Sequence, residues 1–216
     1  MKYMSKVVLS AALFATAQLA SASPFTVTKA TFTPGSGYGA EWFWDEIGGG
    51  EKLDVVFSNA GFTTQNFNLS TVGSTASFKV GTVKFFEDDY LGLSGWSLKT
   101  YGIDSGETDN LNVSLALTFT NPTSAVNTFL TTGTATLGPV GDNGVDYSLN
   151  WSPMTVSFGN GGQYTISLNS LSFSDVGSQD LYATVKLTHA VPEPGSLALI
   201  GLGLAGAGFM RRRQVS

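Results

Sequence analysis

The 216-residue chain contains no cysteine and a single histidine, His189. Without cysteine it forms no disulfide, iron–sulfur cluster or thiolate zinc site, and it has no cysteine nucleophile. One histidine removes most zinc and copper ligand sets, leaving calcium, which needs only oxygen ligands. Arginine is absent between Ser23 and Pro192, where six lysines face fifteen acidic residues, a net charge of −9. Binding of nucleic acid depends on Lys/Arg contacts to phosphate, so this balance speaks against a nucleic-acid partner. Charged residues make up only 12% of the chain, about half the usual share. No amphipathic helical period recurs in this central region.

What replaces helix is alternation. Leu111, Val113, Leu115, Leu117 and Phe119 alternate with Asn112, Ser114, Ala116, Thr118 and Thr120, a strand with one buried face that stops at Asn121-Pro122. Tyr147, Leu149 and Trp151 repeat the pattern, as do Ala183, Val185, Leu187 and His189. Further strands are predicted over 25–33, 53–57, 76–80, 82–86, 133–137, 155–158, 164–168 and 171–173. The 26 glycines punctuate these runs, and Gly159-Asn-Gly-Gly162 between two of them reads as a hairpin turn. The expectation is an all-β fold, an antiparallel β-sandwich of about ten strands, jelly-roll-like, over residues 23–190. No repeat of fixed period points to a solenoid.

The two ends read as addresses. Residues 1–22 combine Lys2 and Lys6, an apolar stretch from Val7 to Ala20, and the small residues Ala20 and Ala22. That is the layout of a signal peptide, here a short N-terminal helix cleaved after Ala22. At the other end, Val191-Pro192-Glu193-Pro194 is followed by sixteen uncharged residues, 195–210, and then by Arg211, Arg212 and Arg213. Sixteen helical residues span about 24 Å, short of a hydrocarbon core of about 30 Å. Snorkelling arginines extend that reach and fix the end of a transmembrane helix on the cytoplasmic side. Within this stretch Gly201-Leu-Gly203-Leu-Ala-Gly206 spells a dinucleotide-binding G-x-G-x-x-G, but no βαβ unit surrounds it.

Residues 191–216 closely resemble the PEP-CTERM sorting tail of Gram-negative bacteria: Pro192-Glu193-Pro194, a Gly/Leu/Ala-rich helix, then the arginine cluster. The resemblance implies an exosortase partner that recognises and processes the tail. It also implies transient anchoring in the inner membrane, delivery to the cell envelope or exterior, and association with exopolysaccharide and biofilm.

Candidate sites in residues 23–190 are few. His189 ends the last strand, beside the processing region, and the reading there is a strand-end polar residue rather than a catalytic one. Asp142-Asn-Gly-Val-Asp146 is an oxygen-rich turn, a candidate calcium site through Asp142 and Asp146, although acidic turns are more often solvated loops and none here fits the full EF-hand pattern; Glu87-Asp-Asp89 and Asp104/Glu107/Asp109 are similar. Tyr38, Trp42, Trp44 and Trp96 are candidates for a polysaccharide-binding platform, since sugars stack on exposed aromatic faces; the alternative places them partly in the core. The expected role is a non-enzymatic surface or matrix protein. The alternative is a carbohydrate-binding module, followed by a secreted glycoside hydrolase, which needs two carboxylates across a cleft.

Overall fold

The computed structural model describes residues 23–39, 52–87, 90–94, 97–191, 201, 203 and 204. In chain order the strands are β1 (Ser23–Pro34), β2 (Tyr38–Gly39), β3 (Leu53–Ser58), β4 (Gln65–Leu69) and β5 (Thr75–Phe85). A hairpin follows, β6 (Tyr90–Ser94) and β7 (Ser97–Tyr101), then a 3-10 turn at Ser105–Thr108. Next come β8 (Asn112–Asn121), β9 (Ala125–Thr132), β10 (Thr134–Ala135) and β11 (Tyr147–Leu149). The series ends with β12 (Met154–Phe158), β13 (Gly162–Leu168), β14 (Leu171–Phe173) and β15 (Gly177–His189).

Two large sheets result, ordered β4-β1-β8-β9 and β12-β13-β15-β5-β3-β2, with a small sheet β10-β11-β14. Among the described residues all pairings are antiparallel except β2 with β3. Along β8 the residues Val113, Leu115, Leu117 and Phe119 are buried while Asn112, Ser114, Ala116 and Thr118 point outward, as alternation dictates. Aromatic contacts join the two large sheets. Tyr164 on β13 lies 5.1 Å from Phe25 on β1 and 5.5 Å from Phe119 on β8, and Phe67 on β4 lies 5.9 Å from Phe78 on β5. Two sheets sharing one apolar interior make a sandwich-like all-β fold.

The structure has more strands than the sequence pattern suggests. The segments 76–80 and 82–86 are one strand, β5, whose buried phase shifts at Gly81. Opposite it, Leu181 pairs with Gly81 and Tyr182 with Lys79, so Val80 is the extra residue of a bulge. A Cβ on Gly81 would stand 2.4 Å from the Ser58 carbonyl oxygen and 2.6 Å from the Phe32 ring, which is why glycine occupies the bend. β9 escapes pattern reading because it buries Asn127 and Phe129 and exposes Val126 and Leu130. β4 escapes because Asn66 and Asn68 separate its few apolar residues.

Among the described residues no helix is long and apolar enough to cross a membrane. The signal segment with Ala20 and Ala22 lies outside the described residues. Of the predicted C-terminal helix, Gly201, Gly203 and Leu204 are described, and all three are helical.

Candidate functional site

The last strand carries the chain to the sorting tail. β15 ends at His189, which is exposed and paired in register with Gln163. Ala190 and Val191 then pack, half-buried, against the core. The Val191 side chain rests on the β12–β13 turn, which the register Phe158↔Gly162 makes a hairpin. A Cβ on Gly162 would lie 2.6 Å from Val191 Cγ2 and 2.8 Å from Phe158 Cζ. Gly159 and Gly161 adopt φ of +50° and +84°, the left-handed region that glycine enters without penalty. Glycine at this turn thus shapes the hairpin and leaves room for Val191. The motif begins with a residue held by the folded body, a contact that turn composition alone did not reveal. Pro192, Glu193, Pro194, Arg211, Arg212 and Arg213 lie outside the described residues.

Tyr38 does not form an exposed platform. It is buried between the sheets, with its ring edge-on to Phe57 at 5.0 Å. Its hydroxyl donates to the Leu111 carbonyl at 2.8 Å and lies 2.8 Å from the Tyr147 hydroxyl. Because Tyr38 has one proton and gives it to Leu111, Tyr147 is the donor of the second bond. Desolvation pushes the Tyr38 hydroxyl up to about 12, partly offset by the bond from Tyr147, and burial also raises Tyr147. The ring that would stack on a sugar is therefore a core residue. Trp42, Trp44 and Trp96 lie outside the described residues.

The acidic turn is likewise structural. Asp146 is buried, and its Oδ2 accepts the Gly141 N–H at 3.0 Å, while Asp142 Oδ1 accepts the Gly144 N–H at 3.2 Å. Both carboxylates accept hydrogen bonds from the loop's own backbone. Two acids of the other candidate clusters also bind backbone. Buried Glu87 accepts the Asp54 N–H at 3.1 Å, and buried Glu107 accepts the Asp104 N–H at 2.6 Å across the 3-10 turn. Among the described residues no three His, Asp or Glu side chains are grouped to hold a metal.

The outer faces of the two large sheets are rich in hydroxyls and amides, with a few lysines and the exposed apolar side chains Val126, Leu130 and Tyr182 among them. Ser77 and Thr184 hydroxyls meet at 2.8 Å, Thr155 and Thr165 at 3.2 Å, and Thr26 donates to Asn66 at 3.0 Å. The ion pair of Lys79 with Asp180, 2.6 Å long, crosses from β5 to β15; that contact and a bond from Thr82 hold the exposed Asp180 carboxyl below its usual range.

Residues 190–214 match the PEP-CTERM protein-sorting motif, which overlaps the Val191 contact and the whole arginine cluster. No curated protein and no solved structure matches the chain. The chain is thus a PEP-CTERM motif-containing protein, marked for exosortase sorting to the cell envelope or exterior.

Proposed function

We propose that the body is a non-enzymatic matrix component that associates with exopolysaccharide after exosortase processing. The observation that supports this most is the character of its outer faces. Ladders of Thr, Ser and Asn present alternating donors and acceptors with little charge, on strands such as β1, β8 and β13. Neutral polyols compete with water for such groups at many weak points, which suits broad adhesion rather than a single deep pocket. The strand order, in which the chain repeatedly crosses between the two large sheets, is consistent with a jelly-roll-like sandwich. The signal peptide exports the body and is cleaved after Ala22, and until exosortase processing the transmembrane tail anchors the body at the inner membrane of a Gram-negative cell.

A second reading, a carbohydrate-binding module, draws on the spacing of Trp42 and Trp44, which share a face wherever the chain is extended. Tyr38 takes no part in it.

One experiment addresses both readings. The change of Pro192, Glu193 and Pro194 to alanine is expected to leave full-length, membrane-bound precursor in an exosortase-positive host. Equal processing of that variant sinks the sorting assignment. In the same host, wild-type mature protein is expected to co-fractionate with the polysaccharide layer. If Trp42→Ala/Trp44→Ala abolishes that association, the module reading replaces the distributed one. If wild-type protein is found free of polysaccharide, both fail.

A further inference from the structure

β9 closes one edge of the β4-β1-β8-β9 sheet, and its make-up differs from that of the other edges. Natural edge strands are blunted by charge, proline, bulges or brevity, because unpaired N–H and C=O groups invite another strand. β9 has none of these. It runs eight residues without Lys, Asp, Glu or Pro, and it pairs with β8 without a register shift from Thr132 to Ala125. Its outward side chains include Val126, 63% exposed, and Leu130, 75% exposed. The edge strands β4 and β12 instead turn Asn66 and Asn68, or Thr155 and Ser157, outward. At one end of β9 the Thr131 hydroxyl donates to the Asn150 carbonyl, so among the described residues the run with no strand beside it is Val126 to Leu130.

We infer that this run is a docking edge for a second copy of the same chain, paired antiparallel about a two-fold axis at Thr128. Two arguments single out that occupant. The first is register. Directly opposed residues of an antiparallel pair share a face. Centring on Thr128 sets Val126 opposite the partner's Leu130, Leu130 opposite the partner's Val126, and Thr128 opposite itself. Both exposed apolar side chains then gain an apolar neighbour, and the patch is self-complementary, as an isologous contact requires.

The second argument is charge. A body of net −9 repels its own copy almost everywhere, yet residues 110–141, which include β8 and β9, contain no charged residue over 32 positions. Two copies meeting here bring no like charges together. A partner of opposite charge would find nothing on this strand to recognise. Five residues a side bury less than the roughly 1,200 Å² of a stable interface, so the pair is weak in dilute solution and favoured where chains are concentrated on a surface.

The absence of cysteine from the chain supplies the test. In the full-length chain in mild detergent, Thr128→Cys places two thiols opposite each other across the proposed axis. Opposed Cα atoms in antiparallel pairs lie about 4.5–5.5 Å apart, within the range of about 4.4–6.8 Å that a disulfide spans. On oxidation with diamide, Thr128→Cys is expected to give about tenfold more disulfide dimer than Thr33→Cys, an exposed site on the same sheet, because pairing raises the effective thiol concentration. Any association through the tail appears equally in both. Adding Val126→Lys and Leu130→Lys is expected to return the Thr128→Cys yield to the Thr33→Cys level, with the thermal transition retained. Equal dimer from the two single-cysteine chains overturns the proposal. So does a yield that the paired lysines leave unchanged in a folded chain. Loss of the transition in the lysine variant moves that arm to Val126→Thr/Leu130→Thr, for which the same drop is expected and an unchanged yield is again fatal.

Discussion

At one end of the core, Tyr38 and Tyr147 meet hydroxyl to hydroxyl, and the Tyr38 hydroxyl donates a hydrogen bond to the Leu111 carbonyl. At the other end, Tyr164 is equally buried among Phe25, Phe119 and Phe158, yet its hydroxyl has no hydrogen-bond partner among the described residues. The Asn127 side chain of β9 is close enough to offset part of the rise that burial gives this hydroxyl, but no hydrogen bond of ordinary geometry joins the two, and Asn127 Nδ2 is also unpaired. The aromatic packing is alike at both ends, and the polar bookkeeping is not. A buried hydroxyl with a partner adds specificity, whereas one without a partner carries a desolvation cost that only ring packing offsets. The first end therefore ties β2, β11 and the residue leading into β8 into one arrangement, and the second relies on shape alone.

The largest effect is expected where the hydrogen-bonded end has least room. A Cβ on Gly133 would lie 2.4 Å from the Tyr38 hydroxyl oxygen and 2.7 Å from Tyr147 Cε2, while the Gly133 N–H already binds the Leu111 carbonyl at 2.7 Å. Gly133→Ala must push both rings or give up that backbone bond. A loss of about 1–3 kcal/mol is expected, in the range of an overpacked core, read as a lower urea midpoint at unchanged slope. An unshifted midpoint would mean that the tyrosine pair is free to move, and the contrast between the two ends would disappear.

Next in size is Tyr38→Phe, which leaves the Tyr147 hydroxyl without its acceptor. The Leu111 carbonyl keeps its bond from Gly133, so the cost is one orphaned donor, about 1–2 kcal/mol. The same variant tests a pH dependence. Burial raises Tyr38 from 10.0 to about 12 in the folded chain. A raised value means that the folded state holds the proton more tightly than the unfolded state. The contribution is complete below pH 10 and is lost as pH climbs through about 12. Wild-type stability is expected to fall over that window more steeply than that of Tyr38→Phe, measured by urea unfolding at pH 9, 10 and 11. Parallel curves would place Tyr38 in contact with solvent.

How much of this the sequence discloses depends on which physical effect governs each residue. Strands with a clean apolar face, such as β8, β13 and β15, follow from period alone, because one face is buried and the other wet. β5 is legible only as two pieces, since the Val80–Gly81 bulge reverses its phase and a pattern of period two has no symbol for an inserted residue. β9 is illegible because cross-sheet geometry buries Asn127 and leaves Val126 and Leu130 outside. The sorting motif is plain from Pro192, Glu193, Pro194 and the arginines, since a receptor reads it as linear sequence. Its contact with the hairpin through Val191 depends on where Gly162 lies in space. Tyr38 illustrates the reverse failure. A tyrosine among glycines suggests exposure, yet its short strand tucks it beneath Phe57.

The smallest expected effect tests the other end. Tyr164→Phe removes a hydroxyl that burial holds in its neutral form and that finds no partner, while the ring contacts with Phe25 at 5.1 Å and Phe119 at 5.5 Å remain. Removing an unsatisfied polar atom relieves its desolvation cost and leaves packing almost unaltered, so stability is expected to stay within about 0.5 kcal/mol or to rise. Asn127 then becomes the remaining unpaired group, and Asn127→Leu with Tyr164→Phe is expected to exceed the single variant, since it replaces both unpaired polar groups by apolar ones. A double-mutant cycle by urea unfolding separates the two contributions. If Tyr164→Phe alone costs 1 kcal/mol or more, by the scale of an ordinary net hydrogen bond, the hydroxyl is satisfied in solution by a water bridging it to Asn127. The two ends of the core would then differ in what completes the hydrogen bond and no longer in whether one exists.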